Sequence, residues 1–193
     1  MTVTVKAVPT TYAGIEFRSR LEARTAMLLN QHQLDWHYEA EAFELSDGTR
    51  YLPDFWLPKI RTYIEVKGQN VPGVEKAERF AAEVVGDEWG HPTDMVLIAT
   101  LDRRERWASM RPTGDHYDAL RLVNALGAWV VGTDCPACST LQWVNICAWR
   151  CRACSIDLTD HVYRETDSGG APSGTRFSAA MELPRLPQWT PAR

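Results

Sequence analysis

Two short apolar runs joined by a tight turn carry the residues best suited to chemistry: Tyr51-Leu52-Pro53-Asp54-Phe55-Trp56-Leu57-Pro58 and Arg61-Thr62-Tyr63-Ile64-Glu65-Val66-Lys67-Gly68. On a strand, Tyr63, Glu65 and Lys67 face one way while Thr62, Ile64 and Val66 face the other. The second set is apolar or β-branched and can pack on a core. The first sets an anion beside a cation. If the two runs pair as a hairpin, Asp54 comes close to Glu65. Two hard oxygen ligands next to an ammonium suit Mg²⁺ (or Mn²⁺), which takes one or two protein carboxylates and keeps positions for water and phosphate. The Val66 carbonyl would add a third protein oxygen. The alternative is an ordinary Glu–Lys pair on a half-exposed strand.

A softer set of donors lies further on. Cys135-Pro136-Ala137-Cys138 and Cys151-Arg152-Ala153-Cys154 are separated by twelve residues. Four thiolates on two turns match tetrahedral Zn²⁺ and close its coordination sphere, so the ion would be structural rather than catalytic. The intervening Thr140 to Trp149 reads as a hairpin. So small a unit has little core of its own, and the metal would contribute its folding energy. Redox-active CxxC pairs are the competing interpretation, but no thioredoxin-like βαβ context surrounds them. Cys147, the fifth cysteine, reads as a buried apolar residue, and His161 lacks ligand spacing.

At 193 residues, with 45% hydrophobic and 24% charged residues, the chain can build one good core or one core plus a small appendage. No apolar run approaches the ~20 residues that span a bilayer, and the N-terminus lacks a secretory pattern. Cysteines arranged for a metal fit a reducing compartment. The expectation is a cytoplasmic protein with no membrane partner. A formal net charge of −4 argues against a general DNA coat, although local basic patches matter more than the total.

The positioning elements follow from periodicity. Residues 1–11 read as an edge strand or arm. Ile15 to Gln31 reads as a helix with Phe17, Leu21, Thr25 and Leu28 on one side; Arg18 and Glu22 stand four apart, as an ion pair on a solvated face would. Strands are expected from Trp36 to Leu45 and from Thr49 to Trp56 around an Asp47-Gly48 turn. After a loop at Gln69–Gly73 comes a helix from Val74 to Val85, with Lys76 and Arg79 off its apolar stripe, where they would serve as phosphate contacts or solvated charges. Met95–Thr100 reads as a buried strand. Leu101–Pro112 is arginine-rich (Arg103, Arg104, Arg106, Arg111), Asp115–Leu126 reads as a helix, and Ala128–Gly132 as a short strand.

Pro53-Asp54 followed by Glu65-Val66-Lys67 resembles the PD-(D/E)XK nuclease signature. With Phe17-Arg18-Ser19-Arg20-Leu21-Glu22, Trp36-His37-Tyr38-Glu39 and Leu52-Pro53-Asp54-Phe55, residues 12–100 resemble most the phage endonuclease I (Holliday-junction resolvase) branch of that superfamily. The resemblance implies a restriction-endonuclease-like core and a hydrolase acting on DNA. It implies that Glu22 joins Asp54, Glu65 and Lys67 as a catalytic residue, that Arg18, Arg20 and Arg24 hold phosphates, and that Glu39 lies near the metal. It also implies branched DNA as substrate and a homodimer as the working form. The zinc motif, the long C-terminal third and the acidic charge depart from that branch.

The expected fold is therefore α/β: a mixed β-sheet flanked by helices over residues 1–132, a four-cysteine zinc ribbon over 133–165, and a flexible Gly/Pro/Ser-rich tail over 166–193. The expected function is Mg²⁺-dependent DNA cleavage. The alternative is a catalytically silent nuclease-fold module that binds DNA or protein and is recruited through its zinc ribbon.

Overall fold

The computed structural model describes residues 7–68, 73–85, 94–108, 111–127, 130–145, 150–159 and 180–186. The chain is α/β. A small hairpin, β1 (Thr10–Tyr12) and β2 (Ile15–Phe17), turns through Ala13 and Gly14, both at positive φ. Helix α1 (Arg20–Gln31) follows, then β3 (His37–Tyr38), the β4–β5 hairpin (Phe43–Glu44, Arg50–Tyr51), β6 (Phe55–Leu57), a 3₁₀ turn (Pro58–Ile60) and β7 (Thr62–Lys67). Helix α2 (Glu75–Val84) crosses over to β8 (Met95–Ala108), which pairs antiparallel with β9 (Arg111–Asn124). Strands β10 (Val130–Asp134) and β11 (Leu141–Asn145) form a separate hairpin, and β12 (Ala180–Glu182) closes the series. Among the described residues, no helix is long and apolar enough to cross a membrane.

The central sheet is mixed, in the order β12-β9-β8-β7-β6-β3, with β7 and β8 parallel and its other pairs antiparallel. A parallel pair needs a crossover, and α2 supplies it. Alternation along β7 then sorts the core. Ile64 and Val66 pack with Leu97, Ala99, Leu120, Leu122 and the buried side of α1. Tyr63 packs on the other face with Val96, Ile98 and α2's Ala77, Phe80, Ala81 and Val84. Both faces of the sheet are covered here, and β8 accordingly opens with the continuous apolar run Met95–Ala99.

Several expectations need correction. The helix does not begin at Ile15: Ile15–Phe17 is a strand, and Ser19 caps α1, accepting from the Glu22 N–H at 3.2 Å. Phe17 is therefore not on the helix stripe; the buried side of α1 holds Ala23, Thr25, Ala26, Leu28 and Leu29. The strand expected over Trp36–Leu45 is broken after Tyr38, where Glu39 takes a left-handed φ of 48°. The strand expected over Thr49–Trp56 is likewise two short pieces. Asp115–Leu126 is not a helix but lies largely within β9; pairing with β8 on one side and β12 on the other overrides a helical spacing that length alone left ambiguous. Leu101–Ala108 continues β8 and Arg111–Pro112 begins β9, so the described part of this stretch belongs to that same β-ribbon.

The C-terminal tail is not uniformly loose. Residues 180–182 form the edge strand on β9, and Met181 and Leu183 are in the main core. Residues 166–179 and 187–193 lie outside the described set, as do Gln69–Pro72, Cys147 and His161. The hairpin next to the cysteines is also placed differently: β10 enters the first CxxC turn and β11 leaves it, while residues 146–149 lie outside the described residues. Val130, Leu141 and Trp143 belong to the main core rather than to a separate one.

Candidate functional site

The 3₁₀ turn at Pro58–Ile60, with Arg61 at φ 46°, folds β6 back on β7 and sets Phe55 opposite Ile64. Asp54, directly before β6, thereby meets the upper part of β7. Its Oδ2 accepts from the Val66 backbone N–H at 2.7 Å. Glu65 and Lys67 stand on one face of β7, with Lys67 Nζ 2.6 Å from Glu65 Oε1. The other Glu65 oxygen accepts from Tyr51 Oη at 2.8 Å, fully inside the protein. Asp54 and Glu65 are 3% and 6% exposed. Burial comes first, and then the charges of Glu65 and Glu22, in raising the Asp54 carboxyl to about 7, against the Val66 N–H and Arg18. The same negative field that retains a proton there attracts a cation.

Arg18 answers part of that field. Its Nη2 lies 2.7 Å from Asp54 Oδ1 and 2.8 Å from Glu39 Oε1. The Glu39 contact is a close ion pair without hydrogen-bond geometry, since that buried oxygen has no hydrogen-bond partner. The resemblance implies a phosphate contact for Arg18 and a place near the metal for Glu39; in the structure the Arg18 guanidinium lies between Asp54 and Glu39.

Glu22, 7% exposed, is occupied by the start of α1. Its Oε1 accepts from Ser19 Oγ at 2.7 Å, and its Oε2 accepts from the Arg18 N–H at 3.1 Å and from Tyr38 Oη at 2.5 Å. Ser19-Arg20-Leu21-Glu22 has the S-x-x-E pattern of a capping box, the signal that would have moved the helix start, with the Glu22 carboxylate reaching the Arg18 N–H. The alternative of an Arg18–Glu22 ion pair on a solvated face does not form; the Arg18 backbone, not its guanidinium, meets Glu22. Burial and the bond to Glu22 raise the Tyr38 phenol, and burial and the Glu65 charge raise Tyr51, so both remain donors.

The other cations expected at phosphates divide. Arg24 is committed elsewhere: its Nη1 is 2.6 Å from Asp118 and its Nε donates to the Pro184 carbonyl at 2.9 Å, tying α1 to the C-terminal strand. Arg79 pairs with Asp47 of the β4–β5 turn. Arg20 and Lys76 are exposed. Tyr51, Tyr38 and Ser19, which hold the acids, were not singled out from the sequence.

The second cluster is tighter. Cys135, Cys138, Cys151 and Cys154 are free thiols whose Sγ atoms all lie within 4.8 Å of one another. Cys135–Cys154 and Cys138–Cys151 approach to 3.6 Å. That is far beyond a disulfide bond and close to the ~3.8 Å edge of a tetrahedron with ~2.3 Å metal–sulfur bonds. Four such thiols can bind zinc. Both knuckles share a plan. After each Ala-Cys, Ser139 and Ser155 take left-handed φ values of 55° and 64° and donate to the carbonyls of Cys135 and Cys151. Arg152, inside the second knuckle, is half-buried, with its side chain 6% exposed; its Nη1 donates to the Trp143 carbonyl and its Nε lies 3.5 Å from Asp94, which also pairs with Arg61 at the foot of β7. Glu22, Asp54 and Glu65 do not close as a trio to the spacing of the thiols.

Comparison of the chain with protein-family models, with curated proteins and with solved structures gives no match.

Proposed function

We propose that this chain is a Mg²⁺-dependent (or Mn²⁺-dependent) endonuclease that hydrolyses DNA phosphodiesters, built on a restriction-endonuclease-like core with a structural zinc ribbon. The supporting observation is the convergence at the end of β7. Asp54 binds the Val66 N–H, while Glu65 and Lys67 make a 2.6 Å pair beside it. Asp54, Glu65 and the Val66 carbonyl would hold the ion; when bound, it would neutralise phosphate and lower the pKa of a coordinated water. Lys67 orients the attacking water or offsets charge growing on the phosphate oxygens. Glu22, which adds to the negative field at Asp54, would hold a second ion or a metal-bound water. Tyr51 fixes the orientation of Glu65. By resemblance, the substrate is branched DNA and the working form a homodimer.

The test uses linear, nicked, single-stranded and four-way DNA with Mg²⁺ or with EDTA. Wild-type protein should cut in Mg²⁺ alone, and Glu65→Ala or Lys67→Ala should abolish cutting while the protein stays folded and DNA-binding. Wild-type rates from both variants would refute the mechanism.

One observation favours the silent binding module: Arg18 already neutralises Asp54 and Glu39, so the acids are paired without an ion. Binding in the same assay with no cleavage of any substrate would select it.

A further inference from the structure

Strand register carries the face of Glu65 and Lys67 well beyond the acids. Lys67 is opposite Thr100 on β8, and Thr100 is opposite Arg121 on β9. Cross-strand partners share a face, and this one is the α2 side, since Glu65 lies opposite Ile98, and Ile98 opposite Val123, both packed with α2. Cover thins at this row: Ile98 is buried, Thr100 and Lys67 are half-buried, and Arg121 is exposed, although the small Ala119 of the next row is buried. Among the described residues, the Arg121 side chain has no ion pair or hydrogen bond. The next acid on this face, Asp102, is held by Arg104 at 2.9 Å; Glu182, exposed on β12, stands opposite Ala119, two residues along from Arg121.

We propose that Lys67, Thr100 and Arg121 form a track for the backbone of the DNA strand presented to the acids, with Arg121 holding a phosphate away from the cleaved bond. Strands lie ~4.8 Å apart, which puts the Lys67 and Arg121 Cα atoms roughly 10 Å apart across two spacings. A polynucleotide carries one charge per ~3.4 Å of rise along each strand. Two cations at that separation match phosphates a few nucleotides apart, a repeat that a single carboxylate or small anion lacks. The strand would cross β7, β8 and β9, with its scissile phosphate at Lys67. The role of Lys67 rests on the nuclease assignment; the phosphate contact of Arg121 does not.

The test is fluorescence anisotropy of the full chain with fluorescein-labelled single-stranded and duplex DNA in EDTA, over a salt series, beside the cleavage assay. Arg121→Gln should weaken binding roughly five- to tenfold and reduce the slope of log Kd against log salt by about one. Arg121→Lys should recover most of both, and the unfolding midpoints of the two variants should equal that of wild type. An unchanged Kd and slope in Arg121→Gln overturns the track, as does wild-type protein that binds neither DNA. If wild-type protein cuts nothing but Arg121→Gln still binds more weakly with a shallower slope, the nuclease assignment fails and the phosphate contact stands.

Discussion

The acid cluster and the thiol cluster solve opposite problems. Around Asp54 and Glu65, the protein supplies its own cations, Arg18 and Lys67, and phenol and amide donors from Tyr51 and Val66. Those side chains are held by the sheet and by α1, so the arrangement stands on the main core. The four cysteines have mainly each other at 3.6 Å. Burial drives the Cys135 thiol up to about 12; at Cys138 burial acts the same way, but hydrogen bonds with Thr140 and the neighbouring cysteines prevail and bring it to about 6. Thiols gathered this closely are a set that a soft dication such as Zn²⁺ can take together as thiolates. The acids stand over the main core, whereas Cys135 and Cys151 pack in a small cluster of their own.

Metal withdrawal is the strongest way to break that contrast. A strong zinc chelator, or Cys151→Ser, should lower the unfolding midpoint by roughly 10 °C or more and change tryptophan fluorescence as Trp143 leaves the core. Omitting Mg²⁺ should leave the midpoint nearly unchanged. Equal sensitivity to both ions would erase the distinction.

The next effect is in pH. The folded Asp54 carboxyl is raised from 3.8 to about 7, so the native state binds the extra proton. The stability it contributes is fully present below about pH 4 and is lost as pH rises through about 7. Urea unfolding in EDTA should show this decline, on the order of a few kcal/mol, and Asp54→Asn should flatten it. A wild-type profile as flat as the variant's would show that Arg18 and the Val66 N–H already offset the burial.

A smaller effect is expected from Tyr51→Phe, which leaves Glu65 Oε2 inside the protein without its donor. The cost should be about 1–3 kcal/mol in chemical unfolding, with weaker Mg²⁺ dependence of cutting. No loss would mean that Lys67 alone holds Glu65.

What could be read from the sequence was local. The faces of Thr62–Lys67 followed from a two-residue period, α2 from its apolar stripe, and the thiol site from two CxxC turns. Misjudged features depended on distant partners. Asp115–Leu126 has spacings compatible with either element until β8 and β12 are laid beside it. Nothing nearby in sequence reveals that Asp54 and Glu39 converge on Arg18. The partners of Arg24, Asp118 and the carbonyls of Leu183 and Pro184, are as distant. Ser19 is the exception: its cap was written in four consecutive residues, and the longer helical pattern obscured it.

Strand β12 gives the end of the described chain an architectural duty. Without it, β9 would present a bare row of amide and carbonyl groups along one side, free to recruit any extended peptide, including a second copy of itself. Arg24 anchors the segment that follows this strand, so a helix near the beginning holds in place a three-residue edge strand, short enough to offer little to pair with, laid down about 160 residues later.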